Sequence, residues 1–258
     1  MSLFKRSVLP HAVIADLADM LPTHLGDTLV ALILHGIHAD ANRDDEVSPI
    51  EVLIVLTDVN PNTIEQLAAV YEQVRGHQSL IPMVLTQDEL LSSTDVFPIT
   101  FMEMKRRHRL LAGVDILAEL DVSFEHLRLR CEQELKNLLL RMQNNFLKNF
   151  SKPPNLQRAM KRNHVSLSRT LAAALQMRGE SCPETEYGVL NSAALLFDLD
   201  QDAIAAISNA VKKETPIDAD TLRSLYGEFL CLVNQAAAAV DALPEHESMI
   251  ELVDGEES

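Results

Sequence analysis

The feature that most constrains this chain is a change of hydrophobic period near residue 123. Before it, Thr28–His35 and Ile50–Thr57 are β-branched and aliphatic runs of strand length. After it, apolar residues recur only at spacings of three and four, and no strand signal returns. A chain patterned in this way is expected to fold as a strand-containing part followed by an all-helical part.

The first part reads in order. Val13, Ile14, Leu17 and Leu21 lie at helical spacing before Pro22, and the run Thr28–His35 ends at Gly36. A polar loop, His38–Ser48, leads to the second run, and Pro61-Asn62-Thr63-Ile64 opens an amphipathic helix that stops near Gly76. Ile81–Leu85 is predicted as a third strand, Gln87–Leu91 as a short helical turn, and about Ile99 to Leu111 as a helix. Residues 1–120 are therefore expected to form a small α/β or α+β domain. Ser123 can cap a long helix carrying Phe124, Leu127, Cys131, Leu135, Leu138, Leu139 and Met142. Ser151–Asn155 breaks it, and further helices are predicted at about 156–178, 188–197, 200–213 and 218–242. This gives a bundle of about five helices over 121–244 and an acidic tail, 245–258, with no apolar period.

Length and charge narrow the function classes. At 258 residues and 47% hydrophobic content the chain can bury two cores. The three cysteines, Cys131, Cys182 and Cys231, are far apart and suggest neither a disulfide framework nor a zinc site, which fits a cytoplasmic setting. No signal-peptide pattern opens the sequence, and no apolar run approaches the roughly 20 residues needed to cross a bilayer, so no membrane association is expected. The net charge of −16 opposes non-specific attraction to nucleic acid, and the absence of Trp removes the best stacking side chain. The charge is segregated: residues 1–120 carry −9, 121–180 carry +6 and 181–258 carry −13. The basic middle is read as a solvated helix face that complements acidic neighbours.

The densest chemical signal lies between the first two strands. Leu34-His35-Gly36-Ile37 is followed, eleven residues later, by Pro49-Ile50-Glu51-Val52. This pattern resembles the nucleotidyltransferase superfamily (polymerase β-like and MNT-type domains). There, an apolar residue and Gly-Ser or Gly-Gly precede about nine to thirteen residues and then a carboxylate–apolar–carboxylate–apolar tetrad. The resemblance implies a small mixed sheet, Mg²⁺ and an NTP as cofactor and substrate, Gly36 and Ile37 at the nucleotide phosphates, and Glu51 as the catalytic, metal-holding carboxylate. The chemistry has a reason: carboxylates at i and i+2 of a strand share a face and can hold the two ions of phosphoryl transfer. The segment Asp95–Gly113 and the helices after it are similar to the arrangement in which such a domain is followed by a HEPN-like bundle, with a bacterial source implied.

Two positions depart from the family pattern. Ile37 stands where the serine would be, and Pro49 stands where the first carboxylate would be. Isoleucine cannot hydrogen-bond a phosphate, and proline offers neither a ligand oxygen nor an N–H. The third carboxylate of the family usually comes from a later strand, yet Ile81–Leu85 contains no acid. Asp44, Asp45 or Glu46 from the loop could join Glu51 as metal ligands. The expectation is a catalytically inactive, nucleotide-binding, regulatory or interaction module, with a protein partner or a homodimer formed through the helical part. The alternative is an active Mg²⁺-dependent enzyme that moves an NMP group from an NTP to a protein, antibiotic or RNA hydroxyl.

Three further groups stand out and are read as structural. Arg158 and His164 resemble the Arg/His pair of HEPN ribonucleases but are separated by a 240° turn on an ideal helix, so they are read as a helix-surface pair. His35 and His38 flank Gly36 without further ligands nearby. Lys105-Arg106-Arg107-His108-Arg109 is read as a basic helix end that complements the macrodipole.

Overall fold

The computed structural model describes residues 10–40, 48–74 and 79–243. The chain divides into two compact units after Val122.

In the first unit, α1 (Pro10–Leu25) leads through a 3-10 turn into β1 (Leu29–His35), and a second 3-10 turn, Gly36–Ala39, follows directly. Then come β2 (Ile50–Leu56), α2 (Pro61–Val74), β3 (Leu80–Thr86), the short α3 (Gln87–Ser92), α4 (Pro98–Arg106), β4 (His108–Gly113) and a 3-10 turn at Ile116–Glu119. The sheet order is β3-β2-β1-β4. β1 runs antiparallel to both β2 and β4, and β2 runs parallel to β3, so the sheet is mixed.

Strand alternation divides the apolar residues between two cores. Leu32, Leu34, Val52 and Ile54 face Val13, Leu17 and Leu21 of α1 and Leu67 and Val70 of α2. Ala31, Ile33, Leu53 and Val55 face Leu90, Phe101 and Met104 of α3 and α4 and Leu117 beyond β4. Both central strands are covered on both faces, which is why they read as continuous apolar runs rather than alternating ones.

β4 corrects the sequence reading, which carried α4 on to Leu111. The helix ends at Arg107, whose backbone is extended (φ −142°, ψ 92°), and the chain turns to pair with the open edge of β1. Pairing with a ready-made strand edge outweighs the weak helical preference of a short, basic segment. The basic cluster is split as a result: Lys105 and Arg106 close α4, while His108 and Arg109 belong to β4.

The second unit is helical: α5 (Phe124–Asn149), α6 (Pro153–Met177), α7 (Glu186–Phe197), α8 (Gln201–Lys212) and α9 (Ala219–Asp241). The boundaries follow from capping chemistry. Thr185, Asp200 and Asp218 accept the backbone N–H three residues on at the starts of α7, α8 and α9, and Pro153 opens α6. α6 is the central helix and packs on the other four. Its Leu171-Ala172-Ala173-Ala174-Leu175 segment is buried on every side, and the small alanines allow this close approach. Tyr226 of α9 is fully buried. Its hydroxyl donates to Met142 O (3.2 Å) and accepts from Asn163 Nδ2 (3.1 Å), and burial pushes its pKa up to about 12.

Among the described residues, no helix is long and apolar enough to cross a membrane.

Candidate functional site

The end of β1 gathers the residues singled out in the sequence. Gly36 leaves the strand with φ +72°, a left-handed conformation that glycine adopts without steric penalty. A Cβ at this position would overlap the carboxylate of Glu51. The torsion is what demands glycine here; a Cβ would also push the flexible end of the Glu51 side chain aside. Ile37 sits half-buried in the 3-10 turn that follows.

His38 is buried within that turn, and its Nε2 donates to Ser48 O at 3.1 Å. One hydrogen bond thus ties the two ends of the loop between β1 and β2. Asp44, Asp45 and Glu46 lie outside the described residues.

Sheet register sets what surrounds Glu51. Its partner on β1 is His35, its partner on β3 is Ile81, and His35 in turn pairs with His108 on β4. Directly opposed residues share a face, so one row across the sheet reads Ile81, Glu51, His35, His108. The row lies on the face whose deeper layers are Ile33, Leu53 and Val55. His108 sits between two acceptors: Nδ1 lies 2.9 Å from Met104 O and Nε2 3.1 Å from Asp115 Oδ2, and a neutral ring donates to one of them. The other oxygen of Asp115, Oδ1, is buried with no hydrogen-bond partner. Lys105 is drawn away from any phosphate role, because its Nζ donates to Leu120 O.

The described residues do not fit a two-metal centre. Pro49, two residues before Glu51, carries no ligand atom, and the strand neighbour where a further carboxylate would complete the set is Ile81, 49% exposed. No group of three or more His, Cys, Asp or Glu that could hold a metal ion occurs among the described residues. Position 81 could not be singled out from sequence, since parallel pairing of β2 with β3 is what places it beside Glu51.

No family model matches the chain, and no curated protein matches it. Among solved structures, the spectinomycin adenyltransferase AAD(9) from Enterococcus faecialis, crystallised with ATP and spectinomycin, superposes with a TM-score of 0.55 at 15% identity. The match covers 84% of this chain and 98% of that one. The fold is nucleotidyltransferase-like. In this nucleotidyltransferase-like fold, the β1 turn at Gly36 and the start of β2 at Glu51 are brought together at one end of the sheet, at the spacing read from the sequence.

In the helical unit, Arg158 and His164 do not form the surface pair read from the sequence. Arg158 is exposed, whereas His164 is only 3% exposed and bonds at both ring nitrogens. Nδ1 donates to Glu186 Oε2 of α7 (2.9 Å), and Nε2 accepts from the Ser208 hydroxyl of α8 (3.0 Å). The physical reason is position: His164 falls in step with Leu156, Met160, Leu167 and Leu171 on the inward face of α6. The order carboxylate, imidazole, hydroxyl is that of a hydrolytic triad. Ser208 is only 1% exposed, however, and a nucleophile that no substrate can reach performs no chemistry. The three residues join three helices.

Proposed function

We propose that this chain is a nucleotidyltransferase-like protein whose metal site is degenerate, retained as a nucleotide-binding, regulatory or interaction module in the cytoplasm of a bacterium. The observation that carries this reading is the row at the sheet end. Glu51 stands between His35 and Ile81, with Pro49 behind it, where phosphoryl transfer with two Mg²⁺ ions calls for clustered carboxylates. Gly36 supplies the left-handed turn that lets the chain leave β1 beside Glu51, and Ile37 replaces hydroxyl contact with apolar contact. The helical unit, read as HEPN-like from its helix number and its place after the first unit, is the part assigned to a protein partner or to a second copy of the chain.

The test is isothermal titration with ATP, GTP, CTP and UTP, each with and without Mg²⁺. Wild-type protein is expected to show no strengthening by Mg²⁺. The triple substitution Ile37→Ser, Pro49→Asp, Ile81→Glu is expected to create Mg²⁺-dependent binding at least about tenfold above wild type, since it returns a hydroxyl and two carboxylates to the positions around Glu51. Wild-type binding that Mg²⁺ strengthens and Glu51→Gln abolishes would overturn this reading. It would assign the missing ligands to Asp44, Asp45 or Glu46 and favour the alternative, an active enzyme that moves an NMP group to a protein, antibiotic or RNA hydroxyl.

A further inference from the structure

Charge is distributed unevenly over the second unit. From residue 135 to residue 179 the sequence holds nine lysines and arginines and no acid, in a chain whose net charge is −16. This stretch forms the second half of α5 and all of α6. A solvated basic face of this kind should find its carboxylates on neighbouring elements. Lys136 finds one in Glu132, a turn earlier on the same helix. Arg141, Lys148 and Lys152, and across the turn Arg158, Lys161 and Arg162, make no ion pair with a carboxylate among the described residues.

Apolar side chains stand among these cations. At about 100° per residue, Leu129, Lys136, Leu140 and Leu147 fall within about 20° of one line along α5, and the three leucines are 47%, 59% and 77% exposed. Leu140 and Leu147 are each followed directly by a cation, Arg141 and Lys148. Single leucines on a surface are ordinary, but three in one line beside unpaired cations make a stripe of two chemistries. A phosphate backbone would answer the cations and leave the leucines facing charge, so the occupant that fits carries acids and apolar side chains together.

This chain contains such a segment. Residues 244–258 lie outside the described residues; their sequence has six acids, no lysine or arginine, and Met249, Ile250, Leu252 and Val253 in its middle. The segment continues from α9, which packs antiparallel on α5. Arg223, near the start of α9, donates to Phe150 O at the end of α5, and Asp241, at the end of α9, lies close enough to Glu132 and Lys136 to act on their charges. The chain therefore leaves α9 beside Lys136, on the line that runs to Leu140 and Leu147. From Lys136 to Phe150 is about 21 Å along the helix, and fifteen residues span up to about 50 Å when extended, so the segment can reach the whole stripe without moving a helix.

We propose that the acidic segment 244–258 of the same chain docks on this face, its carboxylates on Arg141, Lys148 and the cations around the α5–α6 turn, its apolar side chains on Leu140 and Leu147. The contact belongs wholly to the second unit and is independent of the nucleotide reading.

The experiment uses the full chain and a water-soluble carbodiimide, which joins a lysine amine to a carboxylate in contact with it. Mass spectrometry of the monomer is expected to find acids of 245–257 joined to Lys148, Lys152 or Lys161, at a yield that does not change with protein concentration. The yield should fall at least about threefold in about 0.5 M salt, where the screening length shortens to about 4 Å. Leu147→Ser on the helix and Ile250→Ser in the segment remove no group that the reagent joins, and each is expected to lower the yield at least about threefold. Leu147 is 77% exposed, so its loss leaves the bundle core intact. The proposal is overturned if the segment is joined to none of these lysines, or if both serine variants cross-link as wild type does. It is also overturned if the yield rises with protein concentration and the products are dimers, which would assign the face to a second copy.

Discussion

Gly113→Ala is expected to cost about 3–5 kcal/mol of folding stability. Gly113 is the last residue of β4 and has φ +81°. An alanine pays the left-handed penalty of about 1–2 kcal/mol, and its Cβ would be driven into the Val30 carbonyl, with the carbonyl carbon 2.8 Å away. The clash is with backbone, so no rotamer relieves it. That same carbonyl accepts Val114 N at 3.0 Å, so the strands must part and lose a bond worth about 1 kcal/mol in addition. Gly26 and Gly179 provide the control. They also have positive φ but nothing within 4 Å of a built Cβ, so alanine at either should cost only about 1–2 kcal/mol. Urea unfolding of the three variants measures the difference. Equal costs at all three positions would mean that β4 is not held against β1 as described. Because β4 also carries His108 to the side of His35, amide exchange along His108–Gly113 should accelerate in Gly113→Ala.

This expectation depends on an element that the sequence concealed. β1, β2 and β3 were legible because each is an apolar run bounded by turn residues, and the helices of the second unit because their periods are long and their caps plain. β4 was not. His108-Arg109-Leu110-Leu111-Ala112-Gly113 opens with a histidine and an arginine and has only a short apolar stretch, and a strand whose partner lies about 75 residues earlier in the chain leaves little local trace. The candidate site shows the same division. The Gly36–Glu51 approach follows from a motif, and the motif was readable. The position of Ile81 beside Glu51 follows from parallel register, which is not a local quantity. His164 is a different case. The three-and-four pattern through Leu156, Met160, Leu167 and Leu171 already placed it inward, but the comparison with an Arg158 partner drew attention to the wrong geometry.

His164→Ala is expected to cost about 2–4 kcal/mol, for three reasons that act at one point. The substitution leaves a cavity among α6, α7 and α8, leaves the Ser208 hydroxyl buried without its acceptor, and removes the donor to Glu186. Arg158→Ala should change stability by less than about 0.5 kcal/mol, because its side chain lies on the exposed face. Combining His164→Ala with Ser208→Ala should cost less than the two single losses together, since either one alone already breaks their shared bond. The pH dependence provides an independent check. The hydrogen bond from His164, reinforced by its charge when protonated, holds the Glu186 carboxyl below its ordinary value of 4.5, against a smaller opposing push from burial. A carboxylate with a depressed native pKa contributes stability that is present above the unfolded value and is lost as pH falls through the native one. Wild-type protein should therefore lose this contribution below about pH 4.5, and His164→Ala should show a shallower loss over the same range, the difference reduced by solvent because Glu186 is half-exposed. Parallel acid-unfolding curves for the two proteins would show that Glu186 and His164 are not coupled, and α7 would then be held to α6 by apolar packing alone.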